Sequence, residues 1–419
     1  MATFLPFRAL CPNPALVAEI ASPPYDVLNS QEARNLATNN PHSFLHIIKP
    51  EIDLPEDVNH YSDKVYDMGA KNLRQFINDY KLLQEKEPRY FLYQQIMGEH
   101  VQTGFVGLAS VDEYDRGIIK KHEHTRPEKV NDRVRLMSAL NAQTGPVFLA
   151  FRQNKKMADL MQLLLNKSAK MYDFVSFHDV RHIFYRIDYA PFNDKIQQAF
   201  AELPALYIAD GHHRSEGASA FCRQRREANR DFAGNELLNY FLTVTFPDTD
   251  LLILSYNRVV RDLNGLSEKT FLDKIAERFD MTTQNDFAGV KTSKTFGMYV
   301  GSQWYELKAK SEFVDDSDAV KSLDVAILQE NVLSPLLNIA DPRTNERIDF
   351  IGGIRGDQEL QRLVDSGDYA VAFSLFPTSM QQVMAVADAG RVMPPKSTWF
   401  EPKLLSGLDR KSTRLNSSH

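Results

Sequence analysis

The residues best equipped for chemistry fall in one short run, Asp210-Gly211-His212-His213-Arg214. Ahead of it, the apolar stretch Ala205 to Ala209 has the character of a buried strand. Behind it, His212 to Arg226 is rich in Ala, Glu, Gln and Arg and predicts a helix. The glycine therefore falls at a strand-to-helix turn. A helix start gathers backbone N–H groups and the positive end of the helix dipole at one point, and this sequence brings two imidazoles and a guanidinium to the same point. The chemistry expected there is anion binding. A plainer reading stays open, in which Asp210 only caps the helix and the histidines are surface residues.

Three other stretches carry candidate groups. Ser22-Pro23-Pro24-Tyr25-Asp26 is a stiff, extended loop, because prolines cannot continue a helix, and Asn29 or Ser30 caps the helix that follows it. Asp26 is either turn chemistry or a carboxylate held rigidly for acid–base work. The segment Lys120 to Arg133 holds His122, Glu123, Thr125, Lys129 and Arg133. Such a charge run is either a solvated face or, given its mixture of residue types, part of a carboxylate or polyphosphate site. Near the end, Arg391-Val392-Met393-Pro394-Pro395-Lys396-Ser397-Thr398-Trp399 forms a second stiff loop. It could close over an anionic ligand with Arg391 and Lys396, or simply return the chain to the core.

The elements that must position these groups alternate between strand and helix. A strand is predicted at Ser43–Ile48, an amphipathic helix from Glu56 to Glu85, and a hairpin from Tyr90–Ile96 and Thr103–Ala109. Gly145–Phe151 reads as a strand, Met157–Lys170 as a helix, and Phe174–Phe177 and His182–Ile187 as strands, with His178 and His182 taken as structural. Beyond the motif helix come strands at Phe241–Phe246 and Leu251–Tyr256, a helix at Phe271–Phe279, a hairpin about Gly301-Ser302 and an apolar helix at Asp324–Leu337. A strand at Ala370–Phe376 and a helix capped by Ser379 and closed at Gly390 follow. The expected fold class is α/β with mixed sheets, in two domains, 1–230 and 231–408, the boundary falling near Arg230 to Asn235.

Composition narrows the classes. The chain has 419 residues, 43% of them hydrophobic and 25% charged, enough to bury a sizeable core. A formal charge of −6 argues against wholesale nucleic-acid binding, and no apolar run has the length of a membrane span. Cys11 and Cys222 are too few for a disulfide framework or a cysteine-built zinc site, so a cytoplasmic setting is expected. The stretch 409–419 lacks apolar periodicity and reads as the in-frame translation of a sequencing-adapter oligonucleotide. The natural C-terminus is then expected to have been lost shortly after Leu408.

The run Tyr207 to Arg214, with Ser22-Pro23-Pro24-Tyr25-Asp26 upstream and Met393-Pro394-Pro395-Lys396-Ser397-Thr398 downstream, resembles the bacterial and archaeal family known as domain of unknown function 1015. The likeness spans nearly all of Phe4 to Leu408. More distantly, Gly211, His213 and Arg214 resemble the Gly-x-[His/Arg]-Arg turn with which the ParB/sulfiredoxin superfamily binds nucleotide phosphates. The full Asp-Gly-His-His-Arg string is similar to that of the free serine kinases in that superfamily. The resemblance implies a ParB/sulfiredoxin-like core with large insertions and a C-terminal α/β domain. The chain departs from ParB in lacking a helix-turn-helix and in being acidic, and from sulfiredoxin in carrying His212 where a reactive cysteine would stand.

The functional expectation is a phosphotransferase that uses ATP or ADP with Mg²⁺ on a small-molecule hydroxyl, with free serine motivated by the resemblance alone. Asp210, Gly211, His212, His213 and Arg214 would hold the phosphates, with Asp210 holding the turn or a metal ion. Asp26 or Glu123 would accept the hydroxyl proton, with His213 a further candidate. His122, Thr125, Lys129, Arg133, Arg391 and Lys396 would bind the substrate or the remaining phosphates. The alternative is a nucleotide-binding regulatory protein without chemistry. A hydrolase with His212 and His213 on one metal is disfavoured, because adjacent residues at a helix start point in different directions. No nucleic-acid or membrane partner is expected, and the oligomeric state is open.

Overall fold

The computed structural model describes residues 2–228, 236–409 and 411–412. The chain divides into two compact units, one comprising Met1–Lys121, Thr125–Leu251 and Pro402–His419, the other His122–His124 and Leu252–Glu401. The expected boundary at Arg230 to Asn235 lies outside the described residues. The chain that follows it, as far as Leu251, belongs to the first unit, so the expected division at 230/231 is not where the compact units part.

The first unit is built on a nine-stranded sheet. Its strands are β1 (Phe4–Leu5), β2 (Phe91–Met97), β3 (His100–Ser110), β4 (Ile119–Lys120), β5 (Val147–Phe151), β6 (Ala169–Val175), β7 (Arg181–Arg186), β8 (Leu206–Asp210) and β9 (Tyr240–Pro247). They run in the order β4-β8-β5-β9-β3-β2-β7-β6, with β1 pairing the end of β3. β8 is parallel to β4 and β9 to β5, while the other pairs are antiparallel, so the sheet is mixed as expected. β5 is buried at every position, which is why it reads as a continuous apolar run rather than an alternating one.

The longer helices of this unit are α1 (Ser30–Ala37), α2 (Asp63–Asn78), α3 (Pro127–Leu140), α4 (Lys155–Lys167), α5 (Pro191–Ala201) and α6 (His212–Ala228). Asn29 caps α1 in a reciprocal box with Glu32, as its sequence predicts. Helix α3 is apolar on two sides. Val134 and Met137 join the core on the sheet, while Leu136 and Leu140 join a second cluster with Ile20, Phe44, Ile47, Ile48, Leu73 and Phe76. Being held from both sides buries the polar groups α3 carries between those stripes, Asp132 and Arg133 among them.

Two sequence expectations fail here. Leu45–Ile48 is a helical turn, not a strand. Its run of apolar residues is buried almost throughout, and a short continuous apolar run has no period that separates the two. The helix expected from Glu56 to Glu85 is confined to α2. Residues before it form turns, one closed by Asn59 accepting from the Tyr61 N–H, and Leu82–Gln84 leaves it to pair with Leu10–Pro12. Of the two histidines taken as structural, His182 is found so. His182 is buried between the Tyr93 hydroxyl at 2.6 Å and Ser176 Oγ at 2.7 Å, and burial pulls its imidazole down to about 3. His178 sits in a tight turn with φ +58°.

The second unit carries a six-stranded antiparallel sheet made of β10 (Tyr256–Val260), β11 (Phe279–Gln284), β12 (Thr295–Val300), β13 (Gln303–Ala309), β14 (Ile348–Gly352) and β15 (Val371–Leu375). Their order is β11-β13-β12-β15-β10-β14. Ser379 caps the helix Met380–Asp388, again in a capping box, and Gly390 closes it at φ +65°. The expected apolar helix at Asp324–Leu337 is α-helical only over Asp324–Leu328, continuing as a wider π turn at Gln329–Leu333. In the stretch 409–419, Lys411–Ser412 pairs with Ala142–Gln143, and the remainder beyond Ser412 lies outside the described residues.

Candidate functional site

The turn between β8 and α6 is shaped by two local devices. The register of β8 against β5 slips between Ile208 and Asp210, and such a bulge re-aims the residue that follows it. Gly211 then takes φ +97°, open to glycine but strained for any L side chain. A Cβ at that position would meet the Arg214 guanidinium, with Nε at 3.1 Å. The missing side chain is what lets Arg214 fold back over the turn. A second glycine, Gly217, does the same work for the helix, since a Cβ there would stand 3.1 Å from Arg133 Cβ; its absence draws α6 against α3.

Around this turn the side chains form a connected set. Asp210 Oδ1 accepts from the Gly211 N–H at 2.8 Å, and its Oδ2 accepts from Lys403 Nζ at 3.3 Å, with Arg214 Nη2 at 3.9 Å. Burial works to raise the Asp210 carboxyl, but the charges of Lys403 and Arg214 and these hydrogen bonds outweigh it and hold it well below the usual carboxylate range. Arg214 Nη1 donates to the Pro146 carbonyl, and Nη2 lies 3.5 Å from Asp26. Its Nε is buried and has no hydrogen-bond partner among the described residues. The Arg214 side chain is 10% exposed, whereas Asp26 and Asp210 keep 33% and 28%, so the guanidinium is fixed and the carboxylates are reachable.

The stiff loop at Pro23-Pro24 joins the set through two side chains. Asp26 meets Arg214, and Tyr25 lies flat against Arg133, whose guanidinium carbon is 3.7 Å from the ring centroid. Arg133 is in turn held by Asp132, through Nε at 2.9 Å and through Nη2, and Asp132 accepts from the Tyr66 hydroxyl at 2.9 Å. Tyr25, Arg133 and Arg214 line a cleft floored by β5, β9 and α3. Arg214 thus belongs to both the turn and the cleft wall.

The structure brings Asp26, Asp210, Gly211, Arg214 and Arg133 together. His212 is buried at the start of α6. His213 has a positioning part: its Nε2 accepts from the Arg126 N–H at 3.0 Å, tying the start of α6 to the start of α3. Thr125 is half-buried just ahead of α3, and Lys129 is exposed with its ammonium on the Tyr61 hydroxyl at 2.9 Å. His122, Glu123, Arg391 and Lys396 are carried by residues of the second unit. There the Met393 N–H donates to the His122 carbonyl at 2.8 Å, Arg391 pairs with Asp318, and Lys396 sits 5.4 Å from the Tyr256 ring centroid.

Two members of the set escaped sequence reasoning. Lys403 is 193 residues from its partner Asp210, and nothing local distinguishes it from any other lysine. Tyr25 stands in a motif, but its stacking on Arg133 depends on where α3 packs. For Mg²⁺, Asp210 does not suit the role of ligand as it stands. Two cations already crowd it, and among the described residues no group of three His, Cys, Asp or Glu side chains converges.

The chain belongs to the family described as "Protein of unknown function (DUF1015)", whose profile matches residues 4–326. That span holds the Asp26 loop and the Asp210–Arg214 turn, while the Pro394-Pro395 loop lies beyond it. No curated protein matches the chain. Solved structures similar to it include a conserved hypothetical protein from Pyrococcus furiosus, at 11% identity and a TM-score of 0.35 over 70% of this chain and 90% of that one. A free serine kinase variant in complex with AMP has the same identity and score over 70% and 87%. SbnI from Staphylococcus aureus, truncated at its C-terminus, reaches 13% and 0.38 over 72% and 85%. Likeness at this level leaves the functional reading to the residues themselves. Among the described residues, no helix is long and apolar enough to cross a membrane.

Proposed function

We propose that the protein is a nucleotide-dependent phosphotransferase whose ATP or ADP phosphates are bound at the Asp210–Arg214 turn. The observation that carries this is Arg214 folded over Gly211: a buried guanidinium, with an unsatisfied Nε, held beside the N-terminus of a seventeen-residue helix. A buried donor without a partner is costly, and an anionic oxygen at the turn would satisfy it. The helix start adds its own N–H groups and dipole.

In this reading Asp26 is the base. It is one-third exposed and stands at the guanidinium that would face the transferring group. The acceptor hydroxyl loses its proton to Asp26 as its oxygen bonds to phosphorus. The bond from phosphorus to the nucleotide oxygen breaks, and Arg214 stabilises the charge spread over the phosphoryl oxygens. Mg²⁺ is given no protein ligand at Asp210.

A second reading, nucleotide binding without transfer, is favoured by one observation: Asp26 is already engaged by Arg214. Incubation with ATP or ADP and a panel of hydroxyl acceptors separates the two. Phosphorylated acceptor that disappears in Asp26→Asn supports transfer. Nucleotide binding with no product from any acceptor, and equal binding by Asp26→Asn, supports the regulatory reading.

A further inference from the structure

We infer that the cleft beside the turn is the acceptor's pocket and that it takes a hydroxy acid with an apolar body rather than an amino acid; this rests on the phosphate reading of the Asp210–Arg214 turn. The cleft has a charged end and an apolar floor. At the charged end are Arg133 and Arg214, and among the described residues no aspartate or glutamate lines the cleft. The floor is made by Ile48, Leu136, Met137, Val147, Phe241 and Leu242.

Arg133 is prepared to hold a carboxylate. Asp132 engages its Nε and Nη2, Tyr25 covers one face of the guanidinium, and Nη1 makes no hydrogen bond among the described residues. Burial works to lower the Arg133 pKa, but Tyr25, Asp132 and Asp26 outweigh it, so the guanidinium stays charged. A ligand carboxylate on Nη1 would be a charge-assisted contact in a half-closed site. The nearest carboxylates, Asp132 and Asp26, are already paired with Arg133 and Arg214, so an ammonium would meet two guanidiniums and no free counter-charge, and its burial is expensive. Beyond the carboxylate the lining is mostly apolar, its polar members being Gln143, whose Oε1 already accepts from the Leu242 N–H, Thr144 and Ser406, so an aliphatic or aromatic body gains more from burial there than a small polar one.

Arg214 links the two ends of the reaction. It lines the cleft and also meets Asp26, the residue after Tyr25. A hydroxyl next to a carboxylate on Arg133 would therefore lie on the side of the cleft that Asp26 and the phosphates serve.

The test is calorimetric binding to the intact protein, with and without ADP, of three probes: the hydroxy-acid analogue of leucine, leucine itself, and lactate. The hydroxy acid is expected to bind roughly tenfold or more tighter than leucine, from the unpaired ammonium, and roughly tenfold or more tighter than lactate, from the buried methyl and methylene groups. Arg133→Gln should remove most of this binding while leaving the nucleotide-induced thermal shift in place. Gln143→Glu, which keeps the acceptor for the Leu242 N–H, should narrow the preference against leucine by supplying the missing counter-charge. Equal binding of leucine and its hydroxy acid, or nucleotide binding with no carboxylate bound, overturns the inference. Hydroxy-acid binding in a protein that binds no nucleotide leaves the cleft assignment standing and removes the phosphotransfer reading.

Discussion

The protein contains two Pro-Pro loops of similar sequence character, and they are used in opposite ways. The loop at Pro23-Pro24 acts through side chains: Tyr25 stacks on Arg133 and Asp26 meets Arg214. The loop at Pro394-Pro395 is held by its backbone. Buried Arg258 donates Nη2 to the carbonyls of Pro395 at 3.3 Å and Lys396 at 3.0 Å, and Nη1 to its neighbour Tyr256. Thr378 donates to the Ser397 carbonyl at 3.0 Å, and Ser397 returns a bond to Pro394. Proline removes a donor and leaves a carbonyl, so a stiff loop always has acceptors to satisfy. In the second loop Arg258, Thr378 and Ser397 between them satisfy these carbonyls, whereas the guanidiniums beside the first are aimed at carboxylates and a cleft. A proline pair therefore marks rigidity, and whether the rigidity serves a site depends on what the neighbouring arginines bind.

The contrast can be broken by mutation. The largest expected effect is in the backbone-held loop: Arg258→Ala strips three carbonyls of a buried donor and leaves a void, and should cost about 3 kcal/mol in chemical denaturation. Burial lowers this arginine to about 10, so it remains charged at neutral pH. Arg133→Ala comes next, at about 2 kcal/mol, because it leaves buried Asp132 with only the Tyr66 hydroxyl. Thr378→Ala should cost about 1 kcal/mol, one buried hydrogen bond. Asp26→Asn should change stability by less than about 0.5 kcal/mol, since the pair with Arg214 is long and part-exposed. A stability loss from Asp26→Asn as large as that from Arg258→Ala would erase the distinction between the loops.

Acid sharpens the same contrast. Asp210 is held below its unfolded value, so its pairing contributes stability that is fully present above about pH 4 and lost as the pH falls below it. Lys403→Met should therefore be less stable than wild type at pH 7, with the gap narrowing below about pH 4 in acid titration followed by fluorescence. A gap independent of pH would mean that Lys403 acts through packing, not through charge.

What the sequence shows of this molecule is mostly local. The glycine turn at Asp210–Arg214, the caps at Asn29 and Ser379 and the hairpin about Gly301-Ser302 follow from adjacent residues and are found as predicted. Ser43–Ile48 misleads because a fully buried apolar run has no period to read. The site itself is only half legible. Asp26, Arg133 and Arg214 stand out by type, but their meeting depends on α3 being clamped between two cores and on Gly217 admitting α6 to it. Lys403 could not have been found, because its pairing with Asp210 is purely tertiary. Nor could sequence tell which Pro-Pro loop is braced by carbonyl bonds, since Arg258 lies 137 residues from Pro395.

The most direct test of the central claim is a nucleotide titration of wild type and Arg214→Gln by isothermal calorimetry, with melting curves to confirm that both are folded. Wild type should bind ADP or ATP, and the variant should bind at least roughly tenfold more weakly, the loss of one charge-assisted contact. Binding by a folded Arg214→Gln variant that equals wild type, or no binding by wild type, would contradict the assignment of Asp210–Arg214 as a phosphate site.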